Sequence, residues 1–200
     1  KIIQEKCMKK KKIILGSSSK FRRSLFSTLN IDFTCISPDI NESRLENEKP
    51  KDMAIRLSIN KAMKICKTET NAIVIGSDAC ASCDNRILGK PIFEDVATEY
   101  LKYISGKTIF FYTGVCVMDS DTLEYQTDIA KYEIKIKDLN DEAICNYIKR
   151  HKPLNSSAAF RYEVAKDLLV EKFFDKENDI SGLIGLPLKK LKVILKSYQI

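Results

Sequence analysis

The stretch Ala72–Pro91, AIVIGSDACASCDNRILGKP, restricts what this chain can fold into more than any other. Ile73, Val74 and Ile75 form a β-branched run that reads as a buried strand. Gly76 is expected to let the backbone leave regular pairing, so that Ser77 and Asp78 emerge at the strand end. Asp84 and Asn85 are residue types that tolerate a hairpin turn, after which Arg86, Ile87 and Leu88 return toward Gly89, Lys90 and Pro91. Such a hairpin is expected to bring Lys90 back beside Asp78. An acid next to a fixed cation suits phosphate-ester hydrolysis: the carboxylate handles a metal ion or the attacking water, and the ammonium neutralises phosphate oxygens. The same spacing equally describes an exposed turn aspartate and a solvated lysine.

Upstream, Lys12 to Leu15 reads as a first strand. Gly16 and three serines then lead into a helix with Phe21, Leu25, Phe26 and Leu29 at helical spacing. One of Ser17 to Ser19 is expected to cap that helix, leaving its positive end open to an anion, with Arg22 and Arg23 in the first turns. The bland counterpart is a plain cap with two surface arginines. Asn30 to Ile36 can form a second strand, followed by the loop SPDINE, where Glu42 is either a metal or water ligand or a solvated acid. Pro50 opens a long helix to about Lys67, with Ala54, Leu57, Ala62 and Ile65 inward. Lys61 falls on that inner face, so its ammonium either reaches a cleft or snorkels to water.

Downstream, Glu94 and Asp95 start a helix that stops near Gly106. Thr108 to Met118 and Tyr125 to Ile136 read as an antiparallel pair, and Asn140 caps a helix ending before Pro153. From Asn155 to Val170 propensity favours a helix beginning at Ala158, while Leu168 to Val170 and Phe173 to Phe174 have strand character. Gly182 and Gly185 read as a loop, Pro187 as a first helical position, and Leu188, Leu191, Ile194 and Leu195 as a terminal amphipathic helix.

The 200 residues can bury a proper core, and the formal net charge of +7 suits an anionic partner. The lysines are scattered and no helix reads as a recognition helix, which disfavours nucleic acid and leaves a polyphosphate small molecule. No apolar run is long enough to cross a bilayer. Seven cysteines without small-scaffold spacing point to reduced thiols in a cytoplasmic setting. Cys80 and Cys83 have metal or redox spacing but no second pair. The one histidine, His151, gives a serine or cysteine nucleophile no base. Residues 1–11 read as a basic N-terminal extension without a targeting signal, in which Met8 resembles an alternative start, and residues 12–200 as one domain.

Taken in order, ILGSSSKFRRSLF, SPDINE, SINKA, IGSDACASCDNRILGKP, FYTGV and GLIGLPL resemble the Maf family of nucleotide pyrophosphatases. The resemblance implies an α/β fold of the inosine-triphosphatase type: an elongated mixed β-sheet with flanking helices, in two lobes around a cleft, often as a homodimer. It implies cleavage of a nucleoside triphosphate to monophosphate and pyrophosphate with Mg²⁺ or Mn²⁺. Carried over, Asp78 matches the catalytic acid and Glu42 the loop glutamate, both offered to the metal. Lys61 and Lys90 match the phosphate-facing lysines, Arg22 and Arg23 the helix-start arginines, and Ser17 lies in the same phosphate-binding segment. Phe21, together with Glu163 in KPLNSSAAFRYE, resembles the subgroup acting on 7-methyl-GTP, whose cationic base suits an aromatic face and a carboxylate.

Several positions depart from the family pattern. Ala79 stands where glutamine or threonine is usual and Lys20 where proline is usual. Asn41 replaces an aspartate, and Ala158 and Val164 replace glycines. Ala79 removes a polar contact to the base or ribose, and a Cβ at Ala158 or Val164 is expected to narrow a backbone turn. The resemblance also leaves room for dTTP/UTP cleavage or for a non-catalytic nucleotide-binding regulator of cell division.

Overall fold

A computed structural model describes residues 10–176 and 178–200. The expected extension over residues 1–11 and the Met8 start fall almost wholly outside them; Lys11 is described, and its ammonium pairs with Asp119 at 2.5 Å and Asp121 at 2.9 Å.

Three long strands organise the molecule: β3 (Ala72–Cys83), β5 (Thr108–Asp119) and β6 (Tyr125–Ile136), each of 12 residues and antiparallel to its neighbour. With β1 (Lys12–Gly16), β2 (Thr34–Ile36), β4 (Arg86–Leu88) and β7 (Val170–Asp175) they make one mixed sheet. Its order is β2-β1-β3-β5-β6-β7, with β4 paired to β3. The β1–β2 and β1–β3 pairings are parallel, the rest antiparallel.

The helices divide the sheet into two regions. Toward β1, helices α1 (Lys20–Ser27) and α7 (Leu188–Ser197) cover one face, burying Phe26, Leu191 and Ile194 against Ile13, Leu15, Ile73 and Ile75. On the opposite face α2 (Pro50–Cys66) packs Ala62 and Ile65 on Ile14, Val74 and Cys116. Beyond, the far halves of the long strands join α3 (Glu94–Ile104), α4 (Asp141–His151) and α5 (Tyr162–Leu168) around Leu101, Ile109, Tyr132, Ile144 and Tyr147. A short helix, α6 (Ser181–Ile184), ties the first region back to the sheet: Thr113 Oγ1 donates to the Gly182 carbonyl at 2.7 Å.

The sequence reading needs correction at six places. Strand β3 does not release at Gly76 but runs on through Ser77 and Asp78, still paired to β5 at every residue from Ile73 to Ser82. The glycine is there for another reason. A Cβ at Gly76 would collide with the Ser58 carbonyl of α2, and one at Gly114, opposite Asp78, would sit 2.6 Å from the Ala54 carbonyl. The two glycines let a helix backbone lie directly on the sheet. The second strand shrinks to Thr34–Ile36, because Asn30 turns the chain with φ 55° after α1. No helix starts at Ala158; two 3₁₀ turns, Pro153–Asn155 and Ser157–Ala159, precede α5. Gly182 lies within α6, and Pro187 caps α7 rather than opening it. Val164 lies inside α5 and narrows no turn.

Candidate active site

The sheet has a gap where the sequence placed its acid. One edge of β3 is fully paired to β5; the other pairs with β1 as far as Gly76 and with β4 from Ala81 onward. Among the described residues, Ser77, Asp78, Ala79 and Cys80 therefore have no strand beside them on that edge. At Gly16 the chain leaves toward α1, and after Leu88 it leaves through Gly89 and Lys90. It is the partner strands that end here, while the strand carrying Asp78 continues.

Alternation along β3 sends Ser77 to one face and Asp78 to the other. Ser77 is fully buried, with Oγ 2.8 Å from the Gly114 carbonyl and 3.1 Å from that of Gly185. Asp78 faces α2 and meets Lys61, three residues beyond the Ser58 carbonyl that Gly76 accommodates. Lys61 Nζ lies 2.5 Å from Asp78 Oδ1 and 2.7 Å from Glu42 Oε1. The lysine and the aspartate are 6% and 8% exposed, whereas the glutamate is open to solvent. The snorkelling alternative for Lys61 is thus excluded: its stem lies in the core and its ammonium bridges two carboxylates from different elements.

Further cations surround this pair. Burial works to raise the Glu42 carboxyl, but the hydrogen bond and charge of Lys61, with the charges of Lys90 and Arg22, hold it below its ordinary value. Desolvation presses the Arg22 guanidinium downward against the support of Asp78 and Glu42. Its Nε donates to the Gly185 carbonyl at 2.8 Å, so the arginine also links α1 to α6. Glu42, Lys61, Asp78, Lys90 and Arg22 form one electrostatic cluster.

Lys90 is exposed on a strained turn: Ile92 has φ 67°, and Phe93 N–H donates to the Pro91 carbonyl two residues back. That turn is held from the second region, since Ala158 N–H donates to the Gly89 carbonyl and Ile92 N–H to that of Leu154, both at 3.0 Å. Ala158 does this with φ 57° and ψ 22°, a left-handed conformation that costs an alanine about 1 kcal/mol or more. The expected penalty of its Cβ is real and is one of backbone conformation.

Other expected residues stand apart or play different parts. Arg23 turns away and lines a surface cavity of about 400 Å³ with Ser27, Phe33, Thr34 and Cys35. Ser17 is buried and its Oγ accepts from Ser19 N–H at 3.1 Å, while Ser19 is the cap of α1, accepting from Arg22 N–H at 3.4 Å. Phe21, expected at helical spacing with Leu25, Phe26 and Leu29, is 51% exposed and is not part of the core. Ala79 is half-buried opposite Thr113 on the open edge. Glu163 is exposed on α5 with Arg161 3.9 Å away, and among the described residues it makes no contact with the Lys61 cluster.

The cysteine nearest the acid is no nucleophile. Desolvation pushes Cys80 up to about 12, leaving a protonated, inert thiol beside Asp78. No group of three or more His, Cys, Asp or Glu residues could hold a metal among the described residues. A divalent ion of the magnesium type needs only one or two carboxylates when phosphates and water complete its shell. Asp78 and Glu42 each give one oxygen to Lys61 and keep a second oxygen with no partner among the described residues. Those hard oxygen donors fit such an ion.

Sequence reading missed how the Glu42 loop is held. Arg56 of α2 grips Glu48 through Nε at 2.5 Å and Nη2 at 2.7 Å, and Nη2 reaches the Ser43 carbonyl at 3.1 Å. Arg44 folds back on the Glu48 carbonyl at 2.7 and 2.9 Å. The only sequence signal was an arginine directly before Leu57 and five positions before Lys61, indistinguishable from a solvated one.

Known proteins resemble the chain over most of its length. The Maf-like protein family model matches residues 12–198. The chain is 37% identical over 190 residues to a 7-methyl-GTP pyrophosphatase of Colwellia psychrerythraea, covering 95% of this chain and 94% of that protein. It is 38% identical over 181 residues to that of Vibrio parahaemolyticus, covering 90% and 92%. It is 34% identical over 184 residues to that of Nitrosococcus oceani, covering 92% of each. A dITP/XTP pyrophosphatase structure from Mycobacterium abscessus overlaps 62% of this chain and 74% of its own, with TM-score 0.44 and 14% identity.

Proposed function

The chain belongs to the Maf family, and from that premise we propose that it is a nucleoside triphosphate pyrophosphatase whose substrate is 7-methyl-GTP, cleaved to 7-methyl-GMP and diphosphate. The observation that carries this reading is the bridge from Lys61 to Asp78 and Glu42 inside the gap of the sheet, with Lys90 and Arg22 beside it. One buried acid ringed by three cations is suited to a triphosphate, because the cations hold phosphate oxygens and the acid can accept a proton. The 7-methyl-GTP pyrophosphatases to which the chain is 34–38% identical support the substrate.

In this mechanism Asp78 orients a water molecule and takes its proton as the water oxygen attacks the α-phosphorus. The α–β anhydride bond breaks, and diphosphate departs with its developing charge met by Lys90, Arg22 and Lys61. Mg²⁺ or Mn²⁺, held by Asp78 and Glu42 with the phosphates, would supply further charge neutralisation. Phe21, exposed one residue before Arg22, offers its ring to the cationic base.

A reducing, cytoplasmic setting fits the free thiols of Cys66, Cys80, Cys83 and Cys116, all buried without a disulfide. No helix among the described residues is long and apolar enough to cross a membrane. The partner is a free nucleotide rather than nucleic acid, and a homodimer is the assembly the family resemblance implies; sedimentation measures the latter. The central test is diphosphate release from a panel containing 7-methyl-GTP, GTP, dTTP and UTP with Mg²⁺, on wild type and Asp78→Asn. The expected result is preference for the methylated nucleotide and loss in the variant. Preference for dTTP and UTP would move the chain to the other branch of the family, and no release from any nucleotide would remove the enzyme.

A further inference from the structure

Glu42 is delivered to Lys61 by a loop without regular structure between β2 and α2, and an exposed loop does not by itself hold a carboxylate in one place. Two cations of the same helix take hold of it. Lys61 binds Glu42 near its middle, and Arg56, five positions earlier on α2, binds Glu48 near its end. The Glu48 side chain is 7% exposed and that of Arg56 22%, unlike the exposed Arg86–Glu99 pair, whose side chains are 45% and 57% exposed. Two more residues of the loop converge on Glu48: Leu45 N–H donates to Glu48 Oε2 at 3.1 Å, and Arg44 Nε and Nη2 both donate to the Glu48 backbone carbonyl. Arg56 Nη2 also holds the carbonyl of Ser43, the residue next to Glu42. The network lies close enough to Asp78, midway along β3, for that carboxylate to support the Arg56 charge.

We propose that the Arg56–Glu48 fork is a positioning device that fixes the backbone of residues 43–48 and thereby presents Glu42 to Lys61 and the bound phosphates. A fork suits the task better than a point charge. The planar guanidinium spans both carboxylate oxygens and the Ser43 carbonyl at once, which a lysine ammonium on a flexible stem does not reproduce. Arg56 and Glu48 touch neither water nor nucleotide in this scheme; they act through Glu42. The proposal rests on the pyrophosphatase reading for its kinetic consequence but not for its structural one.

Two measurements on the full chain separate these levels. The first is a double-mutant cycle on diphosphate release with Mg²⁺: Arg56→Lys and Glu48→Gln, each in wild type and in Glu42→Gln. Each single substitution is expected to lower kcat/KM about 10- to 100-fold, and to cost less than about twofold once Glu42 is gone. A loss of equal size in both backgrounds overturns the proposal, because the fork then acts by some route other than Glu42. The second is amide hydrogen exchange without nucleotide. Glu48→Gln and Arg56→Lys are expected to speed exchange across residues 43–48, including the Leu45 amide, while the buried α2 amides keep wild-type rates. Unchanged exchange in the loop overturns the clamp even if catalysis falls. If wild type releases no diphosphate, the enzymatic reading fails while hydrogen exchange still decides whether the clamp exists.

Discussion

Lys61 Nζ lies 2.5 Å from Asp78 Oδ1, a pairing between the middle of a helix and the middle of a strand that are both buried at that point. The pairing sets how the two residues respond to change. Asp78→Asn leaves Lys61 with Glu42 as its charged partner, so the fold is expected to persist while kcat for diphosphate release falls by about 10²- to 10⁴-fold. Lys61→Ala leaves a buried carboxylate unpaired and is expected to cost about 3 kcal/mol of stability in addition to activity. Urea denaturation monitored beside the kinetics distinguishes the two; equal stability losses would show that the bridge does not hold the helix to the strand.

Gly76→Ala tests why the helix comes so close. A Cβ there meets the Ser58 and Ala62 backbone, which cannot move without lifting α2 from the sheet. The expected cost is about 3 kcal/mol, with loss of activity because Lys61 retreats from Asp78. Gly89→Ala, where a Cβ has nothing within 4 Å, serves as the neutral comparison in the same unfolding experiment.

Acid lability follows from two glutamates. The Arg56 hydrogen bond holds Glu48 below the ordinary value of 4.5, against a smaller opposing effect of burial. Glu42 is likewise held low, since Lys61, Lys90 and Arg22 together outweigh its desolvation. A carboxyl lowered by folding contributes stability that is fully present above its unfolded value and is lost as pH falls through its folded one. Denaturant midpoints are therefore expected to be flat above 4.5 and to decline below it. The decline is expected to be shallower in Glu48→Gln; an unchanged slope would remove Glu48 from the set.

Ala158→Gly is expected to stabilise the protein by about 1 kcal/mol, since the left-handed backbone at φ 57° strains an alanine by more than glycine loses in chain entropy. Thermal unfolding reads this directly. Because the Ala158 N–H holds the Gly89 carbonyl next to Lys90, KM is expected to stay near wild type.

Phe21→Ala addresses the base. With the ring half exposed, its removal is expected to raise KM for 7-methyl-GTP about tenfold, or ~1.4 kcal/mol of cation–π contact, with little effect on GTP. An equal rise for both nucleotides would make Phe21 a general packing residue of the site.

The amino-acid order by itself determined much of this molecule. The β-branched run before Gly76, the Asp84–Asn85 turn, a serine cap among Ser17 to Ser19, Pro50 at the start of α2 and the alternation of Tyr125–Ile136 are local signals, because each depends on backbone preferences or on a periodicity spanning a few residues. Together with the family resemblance they named Asp78, Glu42, Lys61, Lys90 and Arg22 before any contact was known. Tertiary structure decided what those charges do. Gly76 in sequence looks like a strand breaker, and only the crossing of α2 shows it to be the floor beneath a helix. Arg22 and Arg23 are adjacent and chemically identical, yet helical rotation brings one within electrostatic reach of Glu42 and sets the other in a surface cavity beside Phe33 and Cys35. Glu48 and Arg56 gave no local sign that sets them apart from solvated charges. A salt bridge becomes strong through burial, and burial is a property of the folded chain that no window of sequence contains.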